Sequence, residues 1–146
     1  METFAWSPAL ALGIPQMDMA HHALLVQMQR LADGPDNKFA DGFGALIDSL
    51  ERDFREEEEV MEQICDAGLH EHREQHARVL AGLHHADPHV MAGDIEAGRG
   101  ALRLLAFWFY DHLDTLDRAL AAALGAAGSE SRKARPDGGL RASSKH

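Results

Sequence analysis

At 146 residues and 45% hydrophobic content, the chain is sized for one domain with a single core, and its net charge of −10 disfavours nucleic acid while tolerating bound cations. The only cysteine, Cys65, excludes a disulfide framework and fits a reducing compartment, so a cytoplasmic location is expected. Met1-Glu2-Thr3 offers no basic flank, and the apolar stretch 6–14 is broken by Pro8 and Gly13, so neither a signal peptide nor a membrane span is expected.

The first sixteen residues, with Trp6, Pro8 and Pro15, read as an extended arm packed on a helical body. In residues 18–31 and just before them, Met17, His21, Leu24, Met28 and Leu31 define one face of a first helix. After the turn-rich segment 33–37, a second helix carries Phe43, Leu46, Leu50, Asp53, Glu57, Met61 and Ile64 on its stripe, with two acids where apolar residues are expected. Gly68 suits the break. A third stripe, Leu69, His72, His76, Val79 and Leu83, is expected to stop at Asp87-Pro88.

Asp94 is the expected N-cap of a fourth helix lined by Leu102, Leu105, Phe109, His112, Leu116 and Leu120 up to Gly125. Four amphipathic helices with short connections and no alternating strand pattern predict an all-α fold. The expected form is an antiparallel up-down-up-down four-helix bundle over residues 1–124. Residues 125–146 are small and polar, hold five Lys/Arg against two acids, and are expected to form a disordered tail.

The chemistry lies in where the polar residues fall. His21, Asp53, Glu57, His72, His76 and His112 all occupy inward stripes, and every helix contributes at least one. Each ionisable group buried without a partner costs several kcal/mol, against a total stability of only about 5–15 kcal/mol, so something must compensate. A pair of cations would do so, because imidazole and carboxylate suit iron, manganese and zinc, and the pairs Asp53/Glu57 and His72/His76 project together at i, i+4.

The blander reading of each residue is different. A lone core histidine is more often structural than a ligand, and Glu56-Glu57-Glu58-Glu59 alone would be a solvated face. Convergence from four helices reverses those readings, and the stripe selects Glu57 from its run. His22, His70, His84, His85 and His89 fall off the stripes and are expected on the surface. Trp6 and Trp108 are expected to be structural, as are Leu24, Leu25, Leu105 and Phe109, some of which could also line a gas pocket.

Four motifs over roughly residues 6–120 resemble the hemerythrin family, specifically its bacterial single-domain members. Trp6, Ile14 and Asp18-Met19-Ala20-His21 are similar to the family's opening tryptophan and Ile-Asp-x-x-His. Asp53-Phe54-Arg55-Glu56-Glu57-Glu58-Glu59-Val60-Met61 resembles His-Phe-x-x-Glu-Glu-x-x-Met. His72-x-x-x-His76 matches on the third helix, and Trp108, His112 and Asp117 resemble Trp-x-x-x-His-x-x-x-x-Asp.

The resemblance implies two iron ions, with manganese or zinc as alternatives, joined by an oxo or hydroxo bridge. It implies that His72, His76 and His112 bind one iron, that His21 and the second-helix residue bind the other, and that Glu57 and Asp117 bridge them. Periodicity does not choose Asp117: five residues at about 100° each put it roughly 140° from His112. Asp53 departs from the pattern, standing where the family has a histidine. Direct ligation, ligation through water, an under-coordinated metal and substitution by Glu56 are all open.

By this resemblance the expected function is binding of dioxygen, or another small diatomic or peroxide ligand, by a monomer or weak oligomer, for storage, delivery or sensing. The alternative is an enzyme reducing or disproportionating dioxygen, hydrogen peroxide or nitric oxide at the same site. A third reading is an interaction module that metal merely orders.

Overall fold

The computed structural model describes residues 4–134, with side chains up to residue 128. Among the described residues there is no strand. Helix α1 spans Pro15–Asp33, α2 Phe39–Gln63, α3 Leu69–Met91 and α4 Ile95–His112; a π-helical turn, Leu113–Asp117, then leads directly into α5, Arg118–Ala134. Since α4, the π turn and α5 run without a break, they form the fourth rod of an antiparallel four-helix bundle. Short connections make consecutive helices neighbours, and α1 against α4 closes the ring. No helix among the described residues is long and apolar enough to cross a membrane.

The apolar stripes largely bury, into two separate clusters, although Ile64, Leu69 and Val79 are only half-buried and Leu116, turned aside by the π turn, joins neither. The larger holds Leu24, Leu25 and Met28 from α1, Leu46, Leu50 and Phe54 from α2, Leu83 from α3, and Leu105, Phe109 and Leu113 from the fourth rod. The smaller joins Met17, Met61, Leu120 and Ala121. On each helix the polar residues of interest lie between the two: His21 between Met17 and Leu24, Glu57 between Phe54 and Met61, and Asp117 between Leu113 and Leu120. The bundle is an apolar stack interrupted by one polar layer.

The arm packs as expected, with a single 3₁₀ turn at Pro8–Leu10. Phe4 is buried, and its backbone N–H donates to Gln29 Oε1 at 2.8 Å. Pro15 opens α1 at a position where its missing N–H costs nothing. Asp18 accepts from the Leu12 and Gly13 N–H groups at 2.8 and 3.2 Å, folding the arm back onto the first turn. Asp94 caps α4 by accepting from Ala97 N–H at 3.1 Å.

Two punctuation marks in the sequence mislead. Helix α3 does not stop at Asp87-Pro88 but contains Pro88 and runs to Met91. Pro88 is exposed, so water can satisfy the carbonyl that loses its donor, while the buried Val90 anchors the last turn. Gly68 lies in the break between α2 and α3, as expected, and Cys65 supplies the left-handed turn there, at φ 54°, with Asp66 N–H closing onto Met61 O at 2.9 Å. The last helix passes Gly125, because the alanine-rich run 121–127 favours helix, so residues 125–134 of the expected tail are helical. The rest of that tail, 135–146, lies outside the described residues.

Gly98 is where α4 comes closest to its neighbours: a Cβ there would collide with the Phe39 ring and with Val90. Arg99 fastens the same end, donating to Ala32 O and Gly34 O at 3.0 Å each while its guanidinium lies over Phe39. Gly98→Ala is expected to destabilise the fold by about 1–3 kcal/mol, whereas Gly44→Ala, with nothing near the new methyl, should be neutral or stabilising by up to about 1 kcal/mol. Urea denaturation of both variants measures the difference.

Candidate metal centre

The polar layer is assembled from all four rods of the bundle. His21, His72, His76, His112 and Asp117 are each at most 3% exposed, and the side chain of Glu57 is 16% exposed. Two groups of donor atoms converge, Glu57 with His72, His76 and His112, and His21 with Glu57 and Asp117, each within a 4.8 Å span.

Each carboxylate faces both groups. Glu57 Oε1 lies 2.8 Å from His72 Nε2 and 3.2 Å from His76 Nε2, while Oε2 lies 3.7 Å from His21 Nε2. Asp117 Oδ1 lies 3.1 and 3.2 Å from Nε2 of His72 and His112, while Oδ2 lies 3.1 Å from His21 Nε2. Each is therefore placed to bridge two cations.

Asp117 reaches this position through the π turn. Arg118 N–H bonds Leu113 O, an i→i−5 bond, so residues five apart stack and Asp117 returns beneath His112. Regular α-helix would have turned it away by roughly 140°.

The tautomers test whether cations fit. His76 Nδ1–H donates to Glu58 Oε2 at 2.8 Å and His112 Nδ1–H donates to Gln75 Oε1 at 2.9 Å. Both Nε2 atoms then carry lone pairs, yet they lie 3.2 Å apart, and His112 Nε2 is also 3.2 Å from His72 Nε2. Lone pairs aimed at one another in an apolar interior repel unless a positive charge lies between them. Asp117 Oδ1, fully buried, has no contact of hydrogen-bond geometry. Donors each about 2.1 Å from one ion and at right angles to one another lie about 3.0 Å apart, close to the spacing of these edges. The residues fit a metal pair.

Aromatic rings hold the imidazoles rigid. Phe54 stacks on His76 with centroids 3.8 Å apart, and Trp108 on His112 at 4.4 Å. Trp6, by contrast, stacks on the exposed His22, away from the layer. Glu58 is itself held by Arg73, 3.3 Å away, so His76 donates to an anchored carboxylate. Sequence reasoning missed Glu58 and Gln75, since both lie off the inward stripes. His21 Nδ1 has no hydrogen-bond partner among the described residues.

The sequence-derived set is thus brought together with one exception. Asp53 lies outside both convergent groups; it is half-buried, pairs with Arg52 at 3.5 Å, and shares a cleft with His21 and Glu57. Burial pushes its carboxyl up, against the pull of Arg52. His22, His70, His84, His85 and His89 are exposed, as expected.

Without metal, protons occupy the layer. Burial alone would lower His21 and His72, but Asp117 and Glu57 outweigh it and raise both to about 9. Burial would raise Glu57 and Asp117, but the facing imidazoles take Glu57 to about 2 and Asp117 far below the usual carboxylate range. Relative to an unfolded value of 6.5, the histidine contribution to stability is complete below 6.5 and lost as pH rises through about 9. The Glu57 contribution is present above 4.5 and lost as pH falls through about 2.

The melting temperature of the metal-free chain is therefore expected to fall between pH 6.5 and 9, while that of the metal-loaded chain holds, because metal binding displaces those protons. Circular dichroism melts check this; a metal-free value that rises over that interval contradicts it. The π turn makes a second expectation. Deleting exposed Thr115 leaves Asp117 four residues after His112, about 40° away in an α-helix, so metal content should persist. Inserting alanine after Thr115 should carry Asp117 out of the layer and lower metal content, read by elemental analysis.

No family model matches the chain. A bacteriohemerythrin of Ralstonia nicotianae (strain ATCC BAA-1114 / GMI1000) is 32% identical over 133 residues, covering 91% of this chain and 97% of that protein. With the bundle and its buried histidine–carboxylate layer, this similarity establishes that the chain belongs to the hemerythrin family.

Proposed function

We propose that the chain binds dioxygen at two iron ions held by His21, Glu57, His72, His76, His112 and Asp117, an oxo or hydroxo bridge completing the pair. The observation that carries this reading is the double-facing geometry of Glu57 and Asp117, each with one oxygen toward the three-histidine group and the other toward His21. Ferrous ions held by these residues would supply the electrons for reversible dioxygen binding.

The protein residues divide the remaining work. Glu58 and Gln75 fix which nitrogen of His76 and His112 points inward. Phe54 and Trp108 keep water from the faces of those rings. Asp53, in the wall of the cleft that reaches His21, is the proposed direct or water-mediated ligand on that side. The single cysteine accords with a cytoplasmic location.

Asp53 also favours a second reading, reduction of a small oxidant with turnover. An added carboxylate near His21 would stabilise ferric over ferrous iron, shorten the oxygen-carrying lifetime and move the site toward redox chemistry.

Elemental analysis should find two irons per chain, and the visible spectrum of the reduced protein should change on exposure to air. Asp53→His should slow autoxidation; an equal or faster rate would remove the role given to Asp53. Sustained consumption of oxidant with an electron donor would select the second reading over the first.

A further inference from the structure

The cleft between α1, α2 and α5 is larger than a diatomic ligand needs. It is open to solvent on one side, offers about 250 Å³, and is lined in part by His21 and Glu57. A water molecule takes about 30 Å³, and an apolar cavity of about 150 Å³ holds benzene. Much of its wall is apolar, with Met17 from α1, Val60 from α2, and Leu120 and Leu124 from α5.

The charge of the cleft is one-sided. Asp53 and Glu56 stand in its wall beside Glu57, and His21 is the one basic side chain among the described lining residues. Arg52 pairs with Asp53, but its own side chain is 61% exposed and outside the lining. An anion entering passes the Asp53 and Glu56 carboxylates in the wall, whereas a neutral molecule meets no such repulsion and packs against the apolar side chains.

The structure assigns this cleft, we propose, as a binding site for small neutral organic molecules of about one aromatic ring, and as a barrier to organic anions of the same size. The inference goes beyond dioxygen binding and rests on the di-iron reading only in setting the bound molecule beside the metal on the His21 side. A site of this kind gives the chain a second ligand, held next to the position where an oxidant arrives.

Benzyl alcohol and benzoate, nearly equal in size and different in charge, are the probes. They are titrated into the full chain, both as isolated and loaded with diamagnetic zinc, while the methyl NMR signals of Met17 and Met91 are followed. Met17 lines the cleft, whereas Met91 is 65% exposed and outside it. Benzyl alcohol should shift Met17 saturably and leave Met91 unmoved, with benzoate weaker by about ten-fold or more. Asp53→Asn with Glu56→Gln should narrow that gap, and Ala20→Leu, which fills the cleft, should abolish binding.

Absence of a saturable Met17 shift, equal affinity for the two probes, or binding that survives Ala20→Leu overturns the assignment. The iron content and air-dependent spectrum fail separately. Benzyl alcohol bound in a chain that takes up no iron would leave this site standing and remove the dioxygen reading.

Discussion

Imidazole nitrogens and two carboxylates crowded into one desolvated layer form the constraint on which the rest of the structure depends. Their approaches of 2.8–3.2 Å cannot be maintained by hydrogen bonds alone, because the outward Nδ1–H groups of His76 and His112 are already committed to Glu58 and Gln75. Positive charge has to enter the layer, as protons in one state and as metal in the other. The two apolar clusters on either side hold the helices close enough that this charge meets bulk water only through the cleft beside His21 and Glu57. The stability of the bundle and the affinity of the site are therefore two readings of the same free energy.

The π turn meets a second constraint. Five residues separate His112 from Asp117, a spacing that leaves an α-helix out of phase, and the i→i−5 bond from Arg118 to Leu113 absorbs the extra residue. Both neighbours of that turn keep their apolar phase: Leu113 packs in the larger cluster and Leu120 in the smaller. The irregular segment serves the site without disturbing the packing above or below it.

The architecture was legible in the sequence because four helical stripes announce themselves through burial, and His21, Glu57, His72, His76 and His112 were legible as polar residues on those stripes. Asp117 was not, since a fixed angular step cannot anticipate a π turn; only the family resemblance pointed to it. Glu58 and Gln75 were hidden for another reason. They read as solvated residues on their own helices and acquire meaning from ring nitrogens far along the chain, Glu58 from His76 and Gln75 from His112. Pro88 and Gly125 are local signals overruled by the burial of Val90 and by an alanine-rich run, which outweigh one proline or glycine. Asp53 is legible as a departure from the pattern, and its carboxylate faces the cleft rather than either convergent group.

The unequal sizes of the two apolar clusters bear on how such a centre is filled. The smaller, built on Met17, Met61, Leu120 and Ala121, closes the end of the bundle nearest the cleft, while the larger spans the opposite end together with the arm. Local opening exposes least apolar surface at the small end, so that end can fray while the large cluster stays packed. Ions entering by that end would meet a far half that acts as a jig, keeping His76 and His112 aligned on Phe54 and Trp108. Loading by that route would follow the breathing of one end rather than the unfolding of the chain.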